Sequence, residues 1–127
     1  MMPPTTRCRF GDVVIVPFPF SDQRGRKRRP AVVVSSDAYN ANRADVIIMA
    51  VPRRLPSEAK VGDFMIKDWS AAGLLSPSAG KPVMTSIEQT LVLRTLGRFS
   101  QRDRDSLRFC LRTVLSVQPD VPADVTA

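Results

Sequence analysis

The chain has 127 residues, of which 43% are hydrophobic and 24% are charged, a composition that predicts one globular domain. Lys and Arg outnumber Asp and Glu by 19 to 12, and the formal charge of +7 favours a polyanionic partner such as RNA, DNA or an acidic protein segment. The absence of histidine excludes Ser-His-Asp and Cys-His nucleophilic sites and the paired-histidine catalysis used by many ribonucleases.

The first predicted elements form a hairpin with a long loop. Asp12–Val16 is a β-branched run that predicts a strand, and Pro17 ends it because proline cannot donate to a ladder. A polar loop follows over Ser21–Arg29. Ala31–Ser35 is the second strand, and we expect it to pair back on the first.

The middle of the chain predicts a short helix and two more strands. Ser36–Arg43 begins with cap-type residues and suits one or two helical turns. Asp45–Val51 is apolar almost throughout, so we expect a strand in the middle of a sheet with both faces covered. After the charged connection Arg53–Lys60, Asp63–Lys67 predicts a short strand and Asp68–Gly73 a capped turn.

The last third predicts two strands and one long helix. Lys81–Ile87 and Thr90–Arg94 alternate in the manner of strands. Ser100–Val117 predicts the helix, because Ser100 followed by Asp103 is a capping-box pattern and apolar residues recur at helical spacing. The expected apolar face consists of Leu107, Cys110, Leu111, Val114 and Leu115. Its arginines, Arg102, Arg104, Arg108 and Arg112, are expected on a solvated face.

These elements predict an α+β, mainly β fold: a small, strongly bent antiparallel sheet or barrel with a C-terminal helix packed on it. We expect a single domain over residues 1–127, with residues 1–9 and 118–127 as frayed tails. The N-terminus has no apolar core of signal-peptide length and no apolar run approaches the roughly 18 residues of a membrane span, so we expect a cytoplasmic protein.

The loop of the hairpin carries the most concentrated positive charge in the chain. Its basic residues are Arg24, Arg26, Lys27, Arg28 and Arg29. A cationic loop beside two buried strands is suited to binding phosphates, although a charge run of this kind is also typical of a solvated loop. The two cysteines, Cys8 and Cys110, lack the spacing of a metal site, and no glycine-rich nucleotide motif is present, so no cofactor is expected.

Several segments together resemble the MazF/PemK family of toxin endoribonucleases. They are GDVVIVPFPFSD, Arg29-Pro30 with AVVVSSDAYN, DVIIMAV, GDFMIKDWSAAGLL, SIEQT and LVLRTLGRFS, which extend from Gly11 to Ser100. The resemblance implies an SH3-like barrel that forms a homodimer with an RNA groove between its subunits. It also implies metal-independent, sequence-selective cleavage of single-stranded RNA, and a cognate antitoxin whose acidic C-terminal segment occupies the same groove.

The same resemblance assigns site residues. Arg29 matches the family arginine that lies directly before the proline of the second strand and stabilises charge on the reacting phosphate. Pro52 stands where the family carries a threonine or serine hydroxyl, and proline can donate no hydrogen bond. We expect Arg53 and Arg54 to take over phosphate binding. Replacement hydroxyls are expected from Ser35, Ser36, Thr85 or Ser86.

Two further readings of the sequence remain open. Loss of the hydroxyl predicts a slower enzyme, by about 10²–10³ for one or two missing bonds, or an RNA-binding module without catalysis. A protein-targeting toxin of the related gyrase-poison (CcdB-like) type would share the barrel, but the basic loop does not favour it. Phe18 and Phe20 alternate with proline near the loop mouth and are the best candidates for stacking on RNA bases.

Overall fold

The computed structural model describes residues 7–17, 27–53 and 57–116. Its main element is a five-stranded antiparallel sheet with the strand order β6-β3-β2-β1-β7, and a separate pair of short strands joins β4 to β5. The strands are β1 (Asp12–Pro17), β2 (Arg28–Val33), β3 (Asp45–Ala50), β4 (Phe64–Met65), β5 (Ala79–Gly80), β6 (Met84–Glu88) and β7 (Arg94–Arg98). The helices are α1 (Asp37–Asn42) and α2 (Gln101–Leu115). This architecture confirms the predicted fold class.

The predicted hairpin is present, with one correction to its loop. β1 pairs with β2 from Val13 opposite Val32 to Pro17 opposite Arg28. Arg28 and Arg29 were predicted in the loop, but they belong to β2. Their side chains are exposed at the end of the sheet, so the strand can include them without burying charge. The second strand therefore begins three residues earlier than predicted, and it ends at Val33.

β3 lies in the middle of the sheet, between β2 and β6, as its apolar sequence predicts. Val46 and Ile48 point into one buried cluster together with Val14 and Val33. Met49 lies in a second cluster on the opposite side of the sheet, with Leu107 and other buried groups. Both faces of the strand are therefore covered, which explains why its sequence shows no polar alternation.

The edge strands β6 and β7 are joined by only a short link. A single turn of 3₁₀ helix, Gln89–Leu91, occupies most of it. At roughly 2 Å of rise per residue this link is too short to span a flat five-stranded sheet at about 4.8 Å per strand, so the sheet must curl. The predicted strand at Thr90–Arg94 is wrong, because the Gln89 side chain bonds Asn40 and Arg43 carbonyls and the chain turns there.

α2 begins as the sequence predicts. The Ser100 hydroxyl accepts the main-chain N–H of Asp103, while the Asp103 carboxylate accepts those of Lys67 and Asp68 at 2.9 and 2.8 Å. These bonds connect the start of α2 to the turn at Lys67 and Asp68. The predicted apolar face is only partly buried: Leu107 and Cys110 lie in the core, whereas Val114 and Leu115 are 36% and 50% exposed.

The N-terminal tail differs from the prediction at Cys8. Its side chain is buried, and its main-chain N–H donates to the Gln89 amide oxygen. Burial raises the pKa of the thiol to about 11. Asn40, also buried, donates to the carbonyls of Cys8 and Ser35. Residues 7–9 are thus part of the folded domain; residues 1–6 and the predicted tail 118–127 lie outside the described residues.

None of the helices in the described ranges is long and apolar enough to cross a membrane.

Candidate nucleic-acid interface

Arg29 lies in the second position of β2, directly opposite Val16 of β1. Because opposite residues of an antiparallel pair share a face, its side chain leaves the sheet on the same side as Val16 and Ala31. Those two side chains are fully buried, whereas Arg29 is exposed. The Arg29 side chain therefore extends from a strand whose neighbouring side chains are buried, at the end of the sheet where this apolar face meets solvent.

Pro52 follows β3 and lies beside Arg29 of β2, its neighbour in the sheet. The register of β2 with β3 places Ala31 opposite Ala50, and the Val51 N–H donates to the Pro30 carbonyl at 3.3 Å. One further step of this register sets Arg29 against Pro52. The Pro52 carbonyl accepts the N–H of Ala79, which fixes the backbone at this point. Two residues assigned from the family pattern are thus adjacent.

The side chains of Arg28 and Arg29 extend from opposite faces of the sheet, because side chains alternate along a strand. Arg28 lies opposite Pro17, on the side away from Val16. Lys27 and Arg53 are exposed next to the same strand ends. A concentration of positive charge therefore surrounds Arg29 on both faces of the sheet.

A cleft of about 600 Å³ opens beside Pro52 and adds two lysines that the sequence analysis missed. Lys60 and Lys81 line it together with Ser57, and both lysines are exposed. The Lys81 N–H donates to the Ala50 carbonyl at 3.2 Å, which brings this residue to the end of β3. Carboxylates at the cleft come from Glu58 and Asp63, and Asp63 accepts the Lys60 N–H.

We call this region the basic end of the sheet. Its members are Lys27, Arg28, Arg29, Arg53, Lys60 and Lys81. The sequence shows Lys81 only as the first residue of a predicted strand. Its position next to Pro52 follows from the antiparallel pairing of β3 with β6, a long-range relationship that no local pattern contains.

The four candidate hydroxyls do not gather at Arg29. Ser35 is buried beyond the other end of β2, where its hydroxyl donates to Asn40 and accepts the Ile47 N–H. Ser36 caps α1. Thr85 lies opposite Ile48 and Ser86 opposite Ile47, which places Thr85 about 13 Å along the sheet from the Pro52 level. Ser57 lines the same cleft as Pro52, which none of these four residues does.

Five predicted site residues lie outside the described residues. They are Phe18, Phe20, Arg24, Arg26 and Arg54. The described residues next to them are Pro17, Lys27 and Arg53, and the last two belong to the basic end.

The described residues contain no group of three or more Asp, Glu or Cys side chains arranged to hold a metal ion. The basic end combines exposed Lys and Arg side chains at the ends of the strands with a polar cleft. Such an arrangement can bind a phosphodiester and stabilise negative charge that develops on it.

The chain matches one family model over residues 9–115, that of the PemK-like, MazF-like toxin of type II toxin–antitoxin systems. No curated protein sequence matches it. Among solved structures it is similar to an endoribonuclease in complex with its cognate antitoxin from a mycobacterial species, with 14% identity over 89% of this chain and 99% of that one and a TM-score of 0.71.

Two other solved structures are similar in fold. The Mycobacterium tuberculosis toxin MazF-mt6 shares 12% identity over 85% of this chain and 99% of its own, with a TM-score of 0.67. The MazE–MazF complex from Deinococcus radiodurans (Form III) shares 20% identity over 87% of this chain and 98% of the matched chain, with a TM-score of 0.67.

Proposed function

Since the chain belongs to the PemK-like, MazF-like toxins of type II toxin–antitoxin systems, we propose that it cleaves single-stranded RNA at selected sequences without a metal ion. The observation that carries the proposal is the adjacency of Arg29 and Pro52 at the basic end, where the family pattern has its arginine and its hydroxyl residue. The solved relatives include proteins described as endoribonucleases, which agrees with this activity.

The proposed chemistry uses the RNA as its own nucleophile. The 2′-hydroxyl attacks the adjacent phosphorus, a new O–P bond forms, and the bond to the 5′-oxygen of the next nucleotide breaks. The products are a 2′,3′-cyclic phosphate and a 5′-hydroxyl, so one proton must move from the 2′-oxygen to the leaving oxygen. Arg29 stabilises the phosphorane charge through its guanidinium N–H groups.

Proline at residue 52 leaves the proposed site without one hydrogen-bond donor. Its ring supplies neither a hydroxyl nor a main-chain N–H, so the reacting phosphate receives no hydrogen bond from this position. Arg53 follows it directly, and Lys81 and Ser57 lie at the adjoining cleft. We propose that these groups compensate in part, which gives a slower enzyme than one with threonine at residue 52.

The proposed substrate is unpaired RNA, because bases must be splayed away from a duplex before their edges can be read. Duplex RNA of the same sequence should resist cleavage. Equal cutting of paired and unpaired RNA would count against recognition of single strands.

The proposed partners are a second copy of the chain and an antitoxin. A chain of 14 kDa offers little length for a groove, so we expect a two-fold symmetric dimer that builds the RNA site from both copies. The relative solved with its cognate antitoxin favours an antitoxin as the partner, and the positive charge of the basic end favours an acidic segment of that antitoxin as the part that covers it. Sedimentation that shows only a monomer at micromolar concentration would contradict the dimer.

The decisive experiment incubates the purified chain, free of antitoxin, with a long single-stranded RNA in EDTA and maps the cut ends. Cleavage at a repeated short sequence with 5′-hydroxyl products supports the proposal. Activity abolished by EDTA and restored by a divalent ion would overturn the metal-independent mechanism. Salt-dependent RNA binding without any scission would instead identify an RNA-binding module that has lost catalysis, the second candidate that the missing hydroxyl at Pro52 favours.

A further inference from the structure

A second basic surface lies at the end of the sheet opposite Arg29. It is a cleft of about 810 Å³ between the start of β1, α1 and the end of β7. We call it the Arg98 cleft. Its charged lining consists of Arg7, Arg9, Asp12, Asp37 and Arg98. Asp12 pairs with Arg98 as Val16 pairs with Arg29, four residues further along β1, so the two sites are about 13 Å apart along the strand.

The two carboxylates of the cleft are committed to the main chain. The Asp12 carboxylate accepts the N–H of Arg9 at 2.9 Å, and the Asp37 carboxylate accepts the N–H of Phe10 at 2.8 Å. Across the described parts of the chain, salt bridges within 4.0 Å join only Arg102 to Asp68 and Arg108 to Asp105. The arginines of the cleft therefore have no carboxylate partner within that distance among the described residues.

Arg98 and Arg108 contact the turn at Phe10 and Gly11, and Arg104 lies next to it. Arg98 donates through Nε to the Phe10 carbonyl at 3.2 Å, which leaves the two terminal nitrogens of its guanidinium for another acceptor. Arg108 stacks over the Phe10 ring, 4.7 Å from its centroid. Gly11 has a φ of 89°, and a Cβ there would come within 2.9 Å of the Arg104 side chain.

The three arginines of the cleft exceed its two carboxylates, so its lining keeps a net positive charge that attracts an anion. Burial lowers the pKa of the Arg98 guanidinium and the charges of Arg104 and Arg9 lower it further, while the carboxylates of Asp12 and Asp37 raise it. Arg98 and Arg104 are already ordered by bonds to the Phe10 and Phe99 carbonyls, so binding an anion would cost them little side-chain entropy. The planar guanidinium also matches phosphate oxygens in a bidentate manner.

We propose that the Arg98 cleft binds the phosphodiester backbone of single-stranded RNA outside the cleavage site. The inference rests on the proposed function, since it takes the RNA at Arg29 to be the molecule that continues to the cleft. RNA is favoured over an acidic peptide because its phosphates recur at regular intervals and accept bidentate bonds from guanidinium groups, of which Arg98 is held in place by the Phe10 carbonyl. The contact adds affinity that does not depend on sequence.

The test measures binding of 2′-O-methyl RNA, which cannot be cleaved because its nucleophile is blocked. Oligonucleotides of about 6 and about 24 nucleotides are compared, since small nucleic-acid-binding barrels cover roughly 4–16 nucleotides. The variant Arg7→Ala/Arg9→Ala removes two exposed side chains and keeps the Arg9 N–H that Asp12 accepts. Arg98→Gln is a second variant that retains a side-chain donor near the Phe10 carbonyl.

For the longer RNA we expect the double variant to lower the slope of log affinity against log salt by about 1.4, or about 0.7 for each lost phosphate contact. Binding of the short RNA at the Arg29 site should be unchanged. The matched control is Lys67→Ala/Arg112→Ala, which removes the same charge from exposed positions away from the cleft. Its slope should equal that of the unaltered chain.

Three outcomes would overturn the inference. In the first, the double variant keeps the salt slope of the unaltered chain. In the second, the control variant loses as much slope as the double variant. In the third, the double variant binds a polyglutamate peptide more weakly than the unaltered chain does, while its binding of RNA is unchanged. Failure of the proposed function is a separate result: ordinary RNA would not be cut, while the slope for the longer 2′-O-methyl RNA would still fall in the double variant.

Discussion

Val51 donates its main-chain N–H to the carbonyl of Pro30 at 3.3 Å, and this bond continues the pairing of β2 with β3 beyond Ala31 and Ala50. Pro30 is tolerated here because its missing N–H falls at the end of the ladder, where no further bond is required. The next pair in register is Arg29 with Pro52. A charged group that can stabilise a phosphorane and a residue that cannot donate a hydrogen bond therefore stand side by side.

The neighbours Arg28 and Arg29 give a test with a built-in control. They carry the same charge but leave β2 on opposite faces. Arg29→Ala should lower the cleavage rate at saturating RNA by roughly 10²–10³ and weaken binding much less, because its interaction strengthens as the phosphorane gains charge. Arg28→Ala should reduce only the salt dependence of binding. Equal rate losses in the two variants would reduce Arg29 to an ordinary phosphate contact.

Lys81 is the group that the structure adds to the basic end. If its side chain contacts a phosphate, Lys81→Ala should lower the log–log salt slope for a short single-stranded RNA by about 0.7 and leave sequence preference unchanged. Lys67→Ala removes another exposed lysine, in the turn that follows β4, and serves as the control. Indistinguishable slopes for the two variants would place Lys81 outside the interface.

The contrast between Arg29 and Lys81 shows what the sequence could predict. The β-branched runs around the loop define two strands, and their pairing alone brings Arg29 to the end of the buried face. Lys81 reaches Pro52 only through the long-range pairing of β3 with β6 and an irregular step, in which Val83 N–H donates to the Lys81 carbonyl. Hydrophobic periodicity carries no information on such contacts.

Two errors of the sequence analysis have similar causes. The alternation in Thr90–Arg94 predicts a strand, yet the buried Gln89 side chain holds a turn there through bonds to residues that are more than 40 positions away. Ser35 was a candidate to supply the hydroxyl missing at Pro52, on the expectation that closure of the barrel would bring it near. In the structure its hydroxyl satisfies Asn40 and Ile47 in the core, a use that only the folded neighbourhood defines.

The carboxylate of Asp103 links α2 to the turn that follows β4. It is fully buried and accepts the main-chain N–H groups of Lys67 and Asp68. Asp103→Ala should lower the free energy of unfolding by about 2 to 4 kcal/mol, since two donors lose their acceptor. Asp105→Ala, an exposed change in the same helix, should stay within about 0.5 kcal/mol. Chemical denaturation of both variants decides, and similar losses would contradict the structural role.

Asp68 predicts a pH dependence of stability. Hydrogen bonds from Arg102 and Ser100 hold the pKa of its carboxyl well below the usual value. A carboxyl of this kind stabilises the fold fully above its unfolded pKa of about 3.9, and the contribution is lost as pH falls toward the folded pKa. Asp68→Asn should therefore lower the melting temperature at pH 7, and the difference from the unaltered chain should shrink below about pH 4. A difference that is constant from pH 7 to pH 3 would rule out ionisation as its origin.

Pro52 offers the sharpest test of the mechanism, because two substitutions of nearly equal shape separate its possible defects. Pro52→Thr restores a hydroxyl and a main-chain N–H beside Arg29, whereas Pro52→Val restores the N–H alone. If the chain is a weakened enzyme, the threonine variant should cut single-stranded RNA about 10-fold faster or more, the effect of one hydrogen bond to a charged group of about 1.5 kcal/mol. Equal acceleration by valine would assign the gain to the main-chain N–H.

If both variants fold, as judged by their circular dichroism and melting temperatures, and neither cuts faster, two explanations remain. Either Arg53, Lys81 or Ser57 already supplies the missing bond, or the chain does not use the family's mechanism. Combining Pro52→Thr with Ser57→Ala, Arg53→Ala and Lys81→Ala in turn distinguishes these two cases, because loss of a compensating residue would be costly with proline at residue 52 and nearly neutral with threonine there.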